Sequence, residues 1–495
     1  MLKVRFRLAL CFLVPCSCTD RVSSFDESLA DKSTSMTIQS STGSSHVERF
    51  RTDEEIDLVD ELYSTVDSYE DTGLHRAQGG LDSGMGEAQS PSPIDDTSRW
   101  ISGLIPRGGH LDRSLIEDPQ WRTYAARIDR LWTDAMRPVL DRMTAWAQER
   151  IDPDDHRAVF YPFSGPDILN ALHLYPQSHD YLLIALENEG AIPPLPKALD
   201  KETLKGLKTL ESYVRGHVLR NFFITHEMGG KTDKAGLGSH LYTGVSSLIL
   251  FFLVRSGHEI IKMRSVSLSP SGRLKGVSDP SQLTAPYVSG VEILFRKLSE
   301  SSEDKGNHQS SPALTQRVVF LKANISDTNI SQALGLIPFI LSYGSFNSLV
   351  KAASYLMHYS NFDSIRNLLL SRSHHIISDD TGIPFHFFNE NPNDWRLELY
   401  GSYTRPNPSS KTFAKHCQLD FKKAMKEKGL GSLPFRFGYY LKQPNLLFAT
   451  RQTKIKEPHI DFDLYQGIST VYYGDKNCQK GKQHLVKQRE PRKGK

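Results

Sequence analysis

The chain has 495 residues, of which 60 are basic, 57 acidic and 38% hydrophobic. That is enough apolar material for one large or two ordinary cores. Past Cys18 only Cys417 and Cys478 remain, which could pair in an oxidising compartment but make no disulfide framework, and the net charge of +3 conceals two oppositely charged ends.

The first eighteen residues read MLKVRFRLALCFLVPCSC. Lys3, Arg5 and Arg7 give a basic start, Leu8 to Val14 an apolar run, and small residues with Cys16 and Cys18 close the segment. That order is a secretory signal. The apolar run is far shorter than the roughly twenty residues a membrane-spanning helix needs. Cys18 has a small residue, Ser17, before it and Val14 four positions upstream, the relaxed pattern of a lipoprotein cleavage site. Cys16 follows Pro15 and fits less well. The expectation is a signal peptide over 1–17 and acylation of Cys18. Ordinary secretory cleavage nearby, including that of an exported eukaryotic domain, is the alternative. Each buried methylene contributes about 0.8 kcal/mol, so two or three acyl chains hold a domain on a membrane almost permanently.

Residues 19–98 carry eighteen acidic and five basic side chains among many Ser, Thr and Gly. Such a composition buries too little apolar surface to offset chain entropy, and 18–98 is expected to be a disordered acidic tether. Within it, Ile56, Leu58, Val59, Leu62, Tyr63 and Val66 fall on one stripe of a short amphipathic helix. One α/β domain is expected over 99–452. Residues 112–150 are expected to be helical.

Short apolar runs rich in β-branched and aromatic residues predict strands at 158–164, 181–187, 258–266, 288–298, 315–324 and 374–380. A hairpin is expected over 438–451, turning at Gln443 to Asn445. Leu204, Leu207, Leu210, Val214, Val218 and Phe222 recur at helical spacing after Asp200, with Gly229-Gly230 as the stop. Further helices are expected over 346–358, 362–371 and 410–428. In the last, Cys417 shares a stripe with Phe413, Phe421 and Met425 and reads as a buried free thiol. Val245 to Val254 is too short to span a membrane and reads as a core helix. Residues 299–312 form a polar insertion. The basic tail, 453–495, has eight basic residues and one acidic in its last twenty. It reads as a solvated terminus, because the export signal argues against a nucleic-acid partner.

Two constellations carry possible chemistry. Residues 161–190 read as strand, tight turn, helix, strand, with Ser164 or Gly165 capping the helix, Asp167 in its first turn, and Glu187 and Glu189 ending the second strand. That is the layout of nucleotide-binding α/β domains. The glycine fingerprint is absent, and Asp167 would repel a phosphate. The turn suits a methyltransferase-like cofactor better, or none. The second constellation is SHHIISDDTGIPFHFF, 373–388, where His374, His375, Asp379, Asp380 and His386 are metal-competent types. Strand alternation puts His375 with Asp379 on one face and His374 on the other. His375 and Asp379 are then about 13 Å apart, too far to share an ion. A tight turn at Asp-Asp-Thr-Gly is the simpler reading, and neither metal nor cofactor is assigned. His226-Glu227 begins like a zincin helix but has Gly230 where the second histidine belongs. Ser164 lacks the flanking residues of a nucleophile elbow, and Lys231 and Lys234 read as a solvated loop.

The segments FSGPDILNALHLYP, KAASYLMHYSNFDSIRNLLL and SDDTGIPFHFF resemble a family of uncharacterised bacterial secreted proteins, predicted lipoproteins, in which they occur in the same order over about 155 to 451. The resemblance implies no activity, cofactor or catalytic residue, and it stops short of the acidic tether and basic tail.

Taken together, the residues predict a mixed α/β protein with a Rossmann-like sheet flanked by helices. It stands on a disordered stalk and is anchored through Cys18 in the cell envelope, facing the periplasm or cell surface. Its expected role is to bind an envelope ligand or protein, with membrane lipid as its other partner. The alternative is an envelope hydrolase or transferase using Ser164, Asp167, Glu187, Asp379 and Asp380. Mass spectrometry of the mature chain should find acylated Cys18 at its N-terminus, and Cys18→Ser should release the protein from the membrane fraction.

Overall fold

Strands β1 (Val159–Pro162), β2 (Asp180–Ala185) and β7 (Phe346–Val350) are buried along almost their whole length. Strands buried on both faces in this way suit the middle of a sheet covered on both sides. The computed structural model describes residues 91–455 except 222, 224–240, 243, 279–282, 284–285, 299–313, 352–355, 390–392, 405–413, 428–430 and 439–442. The signal segment with Cys18, the stripe at 56–66, His226-Glu227, Lys231, Lys234, the polar insertion, the Cys417 thiol and nearly all of the basic tail lie outside the described residues and side chains.

The other strands are β3 (His258–Leu268), β4 (Leu274–Gly276), β5 (Val288–Lys297), β6 (Thr315–Lys322), β8 (Ser373–Ser378), β9 (Trp395–Gly401) and β10 (Asn445–Arg451). They form one ten-stranded sheet in the order β4-β3-β5-β6-β2-β1-β7-β8-β10-β9. The block β6-β2-β1-β7-β8 is parallel. β10 runs antiparallel to both β8 and β9. On the other side β5, β3 and β4 extend the sheet antiparallel. The chain therefore lays down the parallel block from β1 outward through β2 to β6, then returns to β1's other side for β7 and β8. This is a Rossmann-like α/β arrangement with a topological switch point between β1 and β7.

Alternate residues of each strand enter different cores, as the pleat requires. Val159, Tyr161, Leu183, Phe320, Ile377 and Phe448 pack with helices Pro93–Ile101, Pro119–Leu131, Arg137–Gln148, Ile168–Leu174, Lys201–Arg220 and Val245–Arg255. Phe160, Leu182, Val319, Ile376 and Leu447 pack with Leu336–Leu341, Asp363–Arg372, Phe385–Asn389 and Ala414–Glu427. Every residue of Val245–Arg255 is buried, as a core helix should be. No helix among the described residues is long and apolar enough to cross a membrane.

Four sequence expectations shift. The helix expected from 346 is strand β7 at its start. Phe346, Leu349 and Val350 mimic helical spacing, but five residues buried on both faces fit between β1 and β8. The polar pair inside β7 is satisfied there: Asn347 donates to Asp155 at 3.1 Å and Ser348 pairs with Ser373 at 2.7 Å. The closing hairpin is replaced by non-local pairing, with Asn445 opening β10 opposite Gly401. The long helix is capped by Asp200, whose carboxylate accepts from Thr203 N at 2.8 Å, and it ends at left-handed Asn221 rather than at the paired glycines.

The folded body also begins before 99. Ser92 caps Pro93–Ile101, and Asp95 and Asp96, counted with the acidic tether by composition, are wholly buried. Asp96 accepts from the backbone N–H of Arg107 (2.8 Å), Gly108 (2.7 Å) and His110 (3.0 Å). Asp95 accepts from Ile260 N at 2.9 Å, tying the helix to β3. These hydrogen bonds offset the burial of the two carboxyls. Asp96→Ala removes the shared acceptor of three part-buried N–H groups and should cost about 1–3 kcal/mol in urea unfolding, with Asp96→Asn intermediate.

Candidate functional site

β1, β2, β7 and β8 are parallel, so their carboxyl ends open onto one edge of the sheet. Open α/β sheets bind ligands along that edge, at the switch point. Ser164 and Asp167 follow β1, Glu187 follows β2, Lys351 follows β7, and Asp379 and Asp380 follow β8. The five residues singled out from sequence thus share one edge, and all are buried.

The β1 turn is tight and strained. Phe163 and Gly165 both adopt left-handed backbone, at φ +59° and +53°. That conformation is costly for phenylalanine and persists only where its surroundings enforce it. The Phe163 ring packs edge-on against Phe362. Ser164 is spent on the turn, since its N–H donates to Ile184 O at 3.1 Å and its hydroxyl points to the same carbonyl at 3.5 Å. Both contacts tie the turn to β2.

The helix cap is Asp167 itself, not Ser164 or Gly165. Its carboxylate accepts from Asn170 N (3.2 Å), twice from Asn170 Nδ2 (2.8 Å each) and from the Tyr161 hydroxyl (3.1 Å). Lys351 Nζ lies 3.4 Å away, with the two side chains 0% and 3% exposed. Burial pushes Asp167 up, but Lys351, His217 and Asn170 outweigh it and hold the carboxyl below its ordinary range. Lys351 also donates to the carbonyl of Asn221 and lies 5.9 Å from the centre of the Phe437 ring. One ammonium therefore joins the β1 turn, the end of β7 and the end of the long helix.

The Asp379-Asp380 pair stands beside this cluster. Asp379 accepts from Thr381 N (2.9 Å) and Thr381 Oγ1 (2.5 Å), and Asp380 is gripped by Asn445, whose side chain accepts from Asp380 N (2.8 Å) and donates to its carboxylate (3.1 Å). The turn needs Gly382, where a Cβ would fall 1.9 Å from Ser378 Oγ. Burial first, then the neighbouring Asp379 charge, pushes Asp380 up to about 7, with Asn445 and Tyr403 pulling the other way. The phenol of Tyr161 is raised well above its ordinary value by burial, then by Asp167 and Asp379. Both carboxylates thus act on one hydroxyl, and the β1 and β8 turns converge.

The histidines of the second constellation are elsewhere. His374 and His375 begin β8 at the amino edge of the parallel block, and burial pushes His375 down to about 4. His386 lies within electrostatic reach of His358. Glu187 and Glu189 are buried just beyond the end of β2. Lys351, Tyr161, Asn170 and Asn445 were not anticipated. A lysine closing an apolar run was the one visible signal among them.

No family model, curated protein or solved structure matches this chain.

Removing one member of a buried ion pair leaves the other charge stranded, at about 3–5 kcal/mol. Lys351→Met should lose that much stability in denaturant unfolding, and Asp167→Asn combined with it should recover a substantial part.

Proposed function

We propose that the carboxyl edge is the acid–base site of an exported hydrolase or transferase, tethered to the envelope through Cys18. The observation carrying this reading is the Asp379-Asp380 pair. Two adjacent carboxyls buried next to an ionised Asp167 cannot all be charged, and Asp380 retains a proton up to about neutral pH. Carboxyls whose environments push their affinities apart are the usual way one site supplies both an acid and a base at pH 7. Asp380 would donate the proton, Asp379 would take it up, and the Asp167–Lys351 pair would hold the β1 turn at a set distance from them. Ser164 has no part in the chemistry. A small polar substrate fits this chemistry. The export signal and the acidic composition of 19–90 support the tethered setting.

The test is Asp380→Asn in the purified full-length chain, screened against ester, phosphoester, glycoside and group-transfer substrates. General acid–base catalysis is worth about 10²–10⁴-fold, so turnover should fall by that factor with KM little changed. The same variant reports on stability. Asp380 binds its proton more tightly folded than unfolded. Its contribution is therefore complete below about 3.8 and is lost as pH rises through about 7. The variant's stability relative to the natural chain should rise across that window. His173, His258 and His375, held near 4 by burial, act in the opposite direction in both proteins and cancel in the difference. A flat difference together with no turnover of any substrate class would return the edge to a purely binding role.

A further inference from the structure

At the opposite edge of the same strands, β8 carries a bulge. Phe346 of β7 pairs with Ser373 and Ser348 with Ile376, so two steps along β7 match three along β8. An extra residue breaks the alternation of the pleat and re-aims side chains. His374 and His375, which an even strand would send to opposite faces, instead bring their rings to 4.4 Å between centres. Both face Asp155, in the segment leading into β1. One side-chain donor atom from each of Asp155, His374 and His375 lies within 4.8 Å of the others.

The local bonding leaves this triangle open on its inner side. Asp155 Oδ1 is occupied by Arg157, through its backbone N–H (3.2 Å) and Nη1 (2.8 Å). Oδ2 accepts from Asn347 Nδ2 at 3.1 Å and faces His375 Nε2 at 3.7 Å, too long for a hydrogen bond. The His375 side chain is 7% exposed, its Nδ1 has no partner, and its ring is stacked on Phe448. Its backbone N–H, by contrast, is anchored to Asn347 Oδ1 at 3.2 Å.

We propose that Asp155, His374 and His375 form a site for one divalent transition-metal ion, zinc being the best match. Two imidazoles and a carboxylate suit zinc or ferrous iron, and do not suit magnesium or calcium, which take oxygen ligands. Donors sharing a zinc ion stand at most about 4 Å apart, which the 3.7 Å pair already meets. The half-exposed His374 closes the remaining gap by moving under about 1 Å, within the reach of a side-chain rotation. Asn347 and Arg157 orient the carboxylate as outer partners. The positive charge of Arg157 weakens the ion's hold, so the ion exchanges. Three protein ligands leave a coordination position for water on the His374 side. The site joins the approach to β1 with the start of β8 and is separate from the carboxyl edge, so it stands or falls independently of the acid–base reading.

The test is calorimetric titration of the full-length chain, prepared without a polyhistidine tag and stripped with chelator, using zinc chloride. One zinc ion per chain should bind, with no heat from magnesium or calcium. Cobalt should give the absorption bands of a nitrogen–oxygen site. His374→Gln, at a half-exposed position, should weaken zinc at least about tenfold while leaving the metal-free melting temperature unchanged. Absence of stoichiometric zinc would overturn the proposal. So would equal zinc affinity in His374→Gln, which would put the ion on other histidines of the chain.

Discussion

Lys351 is buried at the switch point of the sheet, and its charge is balanced by Asp167, 3.4 Å away on the turn after β1. Much of the carboxyl edge is arranged around that contact. An ammonium taken out of water loses several kcal/mol of hydration, which only well-placed partners offset. Here the partners are Asp167 and the carbonyl of Asn221. Meeting that requirement aligns three pieces of chain that are distant in sequence: the strained turn at Phe163–Gly165, the end of β7, and the left-handed end of the long helix. Asp167 meets its own requirement with Tyr161 and Asn170, so the pair extends as a network into β1 and the helix that follows.

A fully satisfied ion pair next to an unbalanced carboxyl pair is chemically informative. Asp167 remains ionised because cationic and hydrogen-bonding groups surround it. Asp380 is driven the other way because burial and Asp379 act together. These are different outcomes for the same side chain on the same edge of the sheet. The difference comes from which strands end beside each one, not from the residue itself.

The two edges of the parallel block are also built differently. At the carboxyl edge, turns after β1 and β8 supply the polar groups. At the amino edge, a bulge in β8 gathers two adjacent histidines toward Asp155. Even pleating predicts the opposite placement for those histidines. The register shift coincides with the place where both rings come together.

Most of the α/β class was legible in the sequence. Six of the strands, the core helix at Val245–Arg255 and the helix after Asp200 follow from apolar period, length and capping, which are local properties. The candidate residues Ser164, Asp167, Glu187, Asp379 and Asp380 were legible as turn residues at strand ends, for the same reason. Strand β7 was not, because Phe346, Leu349 and Val350 satisfy a helical spacing and only burial between β1 and β8 selects the extended form. Asp95 and Asp96 looked like tether because charge composition cannot show that a later loop will wrap their carboxylates. The sequence by itself determined the local elements. The tertiary structure decided that β1 and β8 end on one edge, that Lys351 neutralises Asp167, and that His374 and His375 face one way. Those outcomes depend on strand order and register, which arise from pairing between segments far apart in the chain and leave no periodic trace in either segment.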